Sequence, residues 1–135
     1  MVYGIILAGG KGSRVKGAEL PKQFVKLGGK PLIMHSTLTM LKSKVIDAVI
    51  AVVPDEYIDH AKDIMDEYLD DVCKFNKKLE IIAGDDDREG SLLRAIDHVS
   101  KDGSKLFDIG IKHLHFGHQR ACQIRGMSIT IKALL

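Results

Sequence analysis

Three aliphatic residues, Ile5-Ile6-Leu7, run without interruption into Ala8-Gly9-Gly10-Lys11-Gly12-Ser13-Arg14. An unbroken apolar run, as against an alternating one, is what a strand carries when both of its faces are covered, as in a parallel sheet. Glycines then end the run. They let backbone N–H groups approach an anion closely, and Arg14 and Lys22 bring the positive charge that holds a phosphate. The segment predicts a buried strand feeding a polyphosphate-cradling loop, and so a parallel α/β sheet.

The remaining segments agree with such a sheet. Val45 to Val53 reads as a second strand, ended by Pro54, which cannot donate to a ladder. Leu79 to Ala83 and Phe107 to Ile111 read as a third and a fourth. Pro31 opens a helix to about Leu41, with Met34, Leu38 and Leu41 on one face. Asp55 to Leu69 carries Ile58, Ala61, Ile64, Met65 and Tyr68 at helical spacing, with acids clustered in its first turn. Arg88 to Val99 forms a third helix on Leu92, Ala95, Ile96 and Val99. Phe24 to Leu27 reads as a short extended piece before a tight turn at Gly28-Gly29. Alternating strands and helices of this kind make an α/β domain with a mainly parallel sheet and ligands beyond the carboxyl ends of its strands. The loop from Gly9 to Leu20 and the loop from Gly84 to Ser91 are therefore expected to serve one site.

With 45% hydrophobic and 28% charged residues, the 135-residue chain has the composition of a folded globular protein. No apolar run approaches the ~18 residues of a membrane span. Met1-Val2-Tyr3-Gly4 lacks the basic start of a secretory signal. Cys73 and Cys122 have no short-spaced partner, the pattern of free thiols in a reducing compartment, so a cytoplasmic location is expected. Charge is uneven. All 18 acidic residues and 16 of the 20 basic ones fall at or before Asp108, whereas 109–135 holds four basic residues, three of six histidines and no acid.

Three glycine-loop patterns compete. A Walker loop fails because Gly10-Lys11 is followed by Gly12 rather than Ser or Thr. A dinucleotide fingerprint fails because Gly10-Lys11-Gly12-Ser13-Arg14-Val15 lacks its last glycine. The third, Ala-Gly-Gly-x-Gly-x-Arg followed by Pro-Lys, is the loop of nucleotidyltransferases. Together with Leu20-Pro21-Lys22-Gln23-Phe24, Leu27-Gly28-Gly29-Lys30-Pro31-Leu32 and Gly84-Asp85-Asp86-Asp87-Arg88-Glu89-Gly90-Ser91, it resembles the polyol-phosphate cytidylyltransferases. That family includes the 2-C-methyl-D-erythritol 4-phosphate enzymes of isoprenoid biosynthesis and the ribitol 5-phosphate enzymes of teichoic acid biosynthesis. Ala-Gly-Gly in place of the more frequent Ala-Ala-Gly tilts the resemblance towards the ribitol branch.

The resemblance implies a Rossmann-like nucleotidyltransferase sheet, here its N-terminal portion, with residues 1–107 as a CTP-binding domain. It implies transfer of CMP from CTP to a polyol phosphate with release of pyrophosphate, with an inactive short form left open. Arg14 and Lys22 would be catalytic, holding the triphosphate and the charge that develops at the α-phosphorus. Ala8, Gly9, Gly10, Gly12 and Ser13 would line the nucleotide loop, while Asp86, Arg88 and Ser91 would contact cytosine and ribose or support that loop. Magnesium would bridge the phosphates, CTP and a polyol phosphate would be the partners, and neither nucleic acid nor membrane is expected.

Plainer readings compete residue by residue. Lys11, Lys16, Lys26 and Lys30 suit a solvated surface, and His35, His60 and His98 suit a surface or boundary. Asp85-Asp86-Asp87 suits a macrodipole and capping cluster, so no metal ligand is assigned. Ser91 could be a mere helix-start hydroxyl. His113, His115, His118 and Cys122 lack a carboxylate partner, and the basic residues of the tail lack interleaved aromatics, so neither metal nor nucleic acid is assigned there.

The resemblance stops near residue 108. The family's His-Asp motif, whose Asp contacts the metal, is replaced by Asp108-Ile109-Gly110-Ile111-Lys112-His113. The family continues for roughly as much chain again, including the dimerisation arm, so its homodimer is not expected here. Residues 108–135 read as a divergent basic, His-rich tail, with an altered reading frame as the favoured account and a short paralogue as its competitor. Two other functions stay open: a non-catalytic nucleotide-binding or interaction module, and a sugar-1-phosphate nucleotidyltransferase, which shares the glycine loop but not Pro-Lys-Gln-Phe at this spacing.

Overall fold

The computed structural model describes residues 2–9, 20–101, 108–113, 121–124 and 128–133, with side chains for 2–9, 20–68 and 70–101. Gly10, Gly12, Ser13 and Arg14 lie outside the described residues.

Strand β1 (Tyr3–Leu7) is buried along its whole length, and so is β4 (Ala48–Val53). They pair in parallel with Tyr3 opposite Ala48 and Leu7 opposite Val52, and β5 (Lys78–Ala83) adds a further parallel strand on β4. Burial on both faces explains the unbroken aliphatic runs. On one face Ile6, Ala8, Val49, Ala51 and Val53 pack against helix α1 (Leu32–Lys42), α2 (Ile58–Glu67) and Val72 of α3 (Leu69–Cys73). On the other, Tyr3, Ile5, Leu7, Ala48, Ile50 and Val52 pack against Ala95 and Val99 of α4 (Arg88–Lys101). β5 has β4 as its sheet neighbour and stands at the edge, so Leu79 to Ala83 are half-buried and the strand carries Lys78 and Glu80 among its apolar residues.

Backbone strands β6 (Asp108–His113), β7 (Ala121–Ile124) and β8 (Ser128–Ala133) complete a sheet of order β5-β4-β1-β8-β6-β7. β8 runs parallel to β1 and to β6, and β7 is antiparallel to β6. β7 and β8 were not expected from the sequence; β8 lies between β1 and β6, and β7 lies on the far side of β6. The sheet is the mainly parallel, helix-flanked α/β sheet expected from the sequence. Strand partners diverge on either side of β1, and the helices lie on opposite faces. The carboxyl end of β1 is thus a switch point, where ligands of such sheets bind.

Three boundaries differ from the sequence expectation. The second strand starts at Ala48, opposite Tyr3; Val45 is exposed, and Asp47 accepts the Val2 N–H on Oδ2 at 2.6 Å. Phe24 closes a single 3-10 turn, Lys22–Phe24, rather than opening the extended piece, its N–H donating to Pro21 O at 2.9 Å. Lys26–Leu27 (β2) and Lys30–Pro31 (β3) then form a two-stranded hairpin. Its turn residues Gly28 and Gly29 have φ of 60° and 79°, the paired left-handed geometry that glycine favours in two-residue hairpins. The expected helix Asp55 to Leu69 is three pieces: a 3-10 turn at Asp55–Tyr57, α2, and α3. Tyr68 (φ −106°, ψ 20°) breaks it, and the ring is held from outside, its hydroxyl donating to Gly29 O at 3.3 Å with Lys30 Nζ 5.5 Å from its centroid.

The edge also carries a charge cluster. Glu80 accepts from Lys78 and from His98 of α4, each at 2.9 Å. Burial pushes the Glu80 carboxyl up, but the hydrogen bonds and charges of Lys78 and His98 together outweigh it and hold the group below its ordinary value of 4.5. A depressed folded-state value means stabilisation that is complete above the unfolded value and lost as pH falls through the folded one. Glu80→Gln should therefore lower stability by about 0.5–1 kcal/mol at neutral pH. The deficit against wild type should vanish in acid, as read from urea midpoints at both pH values; an equal deficit at both would refute the pairing.

Candidate active site

The mouth of the sheet is built from the ends of β1, β4 and β5. At the end of β1 residue Ala8 is held through both of its backbone polar groups. Its N–H donates to Val52 O at 2.8 Å, and its carbonyl accepts from Gln23 Nε2 at 2.6 Å. Gln23 is a buried polar residue 15 positions further on. Phe24 beside it is buried against Tyr57, with ring centroids 5.4 Å apart, and against His60, edge-on at 5.0 Å. The residue before them, Lys22, is half-buried at the start of this anchored turn, and no carboxylate pairs with it among the described residues.

The second wall is the loop 84–87 and the start of α4. Gly84 N–H donates to Val53 O at 2.7 Å, continuing the β4 ladder. The chain then turns around Ser91, which is 2% exposed. Its Oγ accepts from Asp85 N–H at 2.8 Å and donates to Asp87 O at 2.8 Å, with Asp85 O at 3.2 Å as the longer alternative. Asp87 precedes the first helical residue, and its Oδ1 accepts from Gly90 N–H at 2.6 Å, the bond of an N-cap. Asp85 accepts from Asp86 N–H on Oδ1 at 2.9 Å and from Arg94 Nε on Oδ2 at 3.2 Å. The Asp86 N–H first, and the Arg94 charge second, hold the Asp85 carboxyl below the usual range. The acidic run is thus partly a cap and partly an ion pair.

The two walls meet at Ser91. A methyl group on Gly9 would stand 3.1 Å from Ser91 Oγ, and one on Gly84 2.8 Å from the same atom. Hydrogen at both positions lets the loop after β1 and the loop after β5 close on one hydroxyl; a methyl at Gly84 would force a shift, and one at Gly9 would crowd the same atom. The expected site residues thus divide. Ala8, Gly9, Lys22 and Ser91 are brought together at the mouth; Asp86 and Arg88 are exposed on its rim and both have partners of their own; Gly10, Gly12, Ser13 and Arg14 lie outside the described residues. Ser91 is more than a helix-start hydroxyl, since its Oγ organises the loop. Gln23, Phe24, His60 and Arg94 were not expected to support the site. For Gln23 and Phe24 the sequence signal is the run Pro21-Lys22-Gln23-Phe24.

Among the described residues no three His, Cys, Asp or Glu side chains converge. With Asp85 and Asp87 engaged as above, the described donors do not form a magnesium site of their own. No helix among the described residues is long and apolar enough to cross a membrane.

Residues 2–108 match the family of IspD, 2-C-methyl-D-erythritol 4-phosphate cytidylyltransferase. The chain belongs to this family. It is 32% identical over 114 residues to a ribitol-5-phosphate cytidylyltransferase of Lactiplantibacillus plantarum, covering 84% of this chain and 47% of the relative, so it spans about half of that protein's length. A 4-diphosphocytidyl-2C-methyl-D-erythritol synthase structure from Anaerococcus prevotii is 25% identical with a TM-score of 0.50, over 71% of this chain and 36% of that one. The inositol-1-phosphate CTP transferase of T. maritima shares the fold, with a TM-score of 0.57 at 17% identity, over 71% and 38% of the two chains. The family lineage is that of the nucleotidyltransferases, as the loop pattern implied.

Proposed function

We propose that this chain is the CTP-binding part of a cytidylyltransferase that transfers CMP from CTP to a polyol phosphate, with ribitol 5-phosphate favoured over 2-C-methyl-D-erythritol 4-phosphate. The observation that carries this reading is the closure of Gly9 and Gly84 on Ser91, with the turn that carries Lys22 tied to Ala8 through Gln23. The family match and the ribitol-5-phosphate relative support the substrate class.

In the proposed reaction a phosphate oxygen of the acceptor attacks the α-phosphorus in line. The new O–P bond forms as the bond to the β-phosphate oxygen breaks, and pyrophosphate leaves. No protein nucleophile is needed, so the chain contributes position and charge. Lys22 and Arg14 neutralise the negative charge that grows on the phosphoryl oxygens. Gly9, Gly10, Gly12 and Ser13 line the triphosphate, and Asp86, Arg88 and the loop held by Ser91 frame the base and ribose. Magnesium would enter with the triphosphate, held by phosphate oxygens rather than by a carboxylate cage.

The test is pyrophosphate release from CTP with each acceptor. Release with ribitol 5-phosphate alone is expected. Release only with methylerythritol phosphate would reverse the preference between branches. CTP binding without release from either would favour a non-catalytic nucleotide-binding module.

A further inference from the structure

We infer that Gln23 is a positioning residue for Lys22, clamping the turn that carries the lysine to the first peptide of the glycine loop. This deepens the reading above and rests on Lys22 meeting the phosphates of CTP. Gln23 is 2% exposed, and its Nε2 lies 2.6 Å from Ala8 O. A carbonyl can only accept, so the side-chain amide must present its NH2 there. The Ala8 N–H is already bound to Val52 O, so the peptide before the one that Gln23 grips is tied to the sheet. Phe24 fixes the same turn from the other direction, through Tyr57 and His60.

The 3-10 turn itself is closed by Phe24 N–H on Pro21 O and by Val25 N–H on Lys22 O at 3.1 Å. Lys22 therefore has a fixed backbone, and its long side chain starts from a point set relative to Ala8 and Gly9. Ordering a lysine on a phosphate costs side-chain entropy, and a backbone already in place removes part of what must be ordered. The plainer role for Gln23 is to satisfy a buried carbonyl. That role would affect stability alike whether or not residue 22 carries an ammonium group.

A double-mutant cycle read by calorimetric CTP titration separates the two roles. Gln23→Met keeps length and volume but has no donor. It should weaken CTP binding about tenfold when Lys22 is present and less than about twofold in a Lys22→Ala background. The urea midpoint should fall in both backgrounds. Equal factors in the two backgrounds, or unchanged affinity with Lys22 present, would overturn the inference while leaving the functional reading intact. Absence of CTP binding by the unaltered chain would overturn both.

Should Gln23→Met fail to fold, Gln23→Glu provides the same test. A carboxylate facing Ala8 O repels it, whereas a protonated carboxyl donates its O–H, and burial pushes that group's pKa up. The CTP affinity of Gln23→Glu should rise towards that of the unaltered chain as pH falls from about 7 to 5. A flat ratio between the two proteins would overturn the inference.

Discussion

Lys22→Ala is expected to lower pyrophosphate release from CTP by about 10²–10³-fold while leaving the urea midpoint unchanged. The size follows from where the charge acts. A fixed ammonium beside phosphoryl oxygens is worth most when charge builds on them, in a site that excludes water. The silence of the stability assay follows from the structure. Lys22 is half-buried, no described carboxylate pairs with it, and the turn is held by Gln23 and Phe24 on its far side. Lys22→Arg should recover only part of the rate, because a planar guanidinium cannot take the place of a compact ammonium at a fixed distance. Near-normal release by Lys22→Ala would remove the lysine from the mechanism.

The second large effect concerns the joint between the two loops. Gly84→Ala should lower stability by about 1–3 kcal/mol, because the new methyl stands 2.8 Å from Ser91 Oγ, 3.2 Å from Val52 Cγ1 and 3.4 Å from Val53 O. Ser91→Ala should cost about 1–3 kcal/mol for a different reason: it strips the Asp85 N–H of its acceptor. The double variant should be less unstable than the two losses added, by at least about 0.5 kcal/mol, since removing Oγ makes room for the methyl. Relief is partial because Val52 and Val53 remain. Urea denaturation of the four proteins measures the coupling. Strict additivity would mean that Gly84 and Ser91 are not in the contact described.

Much of the scaffold was legible along the chain because burial writes itself into residue type. Ile5-Ile6-Leu7 and Ala48 to Val53 are aliphatic on both parities because helices cover both faces of their strands. The α4 stripe of Leu92, Ala95, Ile96 and Val99 is the face that meets β1 and β4. Boundaries were less legible where a tertiary contact overrides a local pattern. Tyr68 continues the helical spacing of α2, yet it breaks the helix with its hydroxyl on Gly29 O, 39 positions away. Val45 has the residue type of a strand but no neighbour to pair with.

The site divides in the same way. Glycine spacing with Lys22 behind Pro21 was enough by itself to raise the expectation of an anion-binding loop after β1, because close backbone approach and fixed charge call for those residue types. The sequence likewise carried the family, through motifs spread over the length that the family match spans. Only the tertiary structure decided that Ser91 is the hydroxyl on which Gly9 and Gly84 close, and that Gln23 reaches back to Ala8 O. It also decided that Asp85 pairs with Arg94, whereas the Asp87 cap is the local role that an acid ahead of a helix suggests. Ala8 with Gln23 and Gly9 with Ser91 join segments separated in the chain. Their geometry is set by how β1, β4 and β5 align in the sheet, and no local propensity of a Ser or a Gln encodes it.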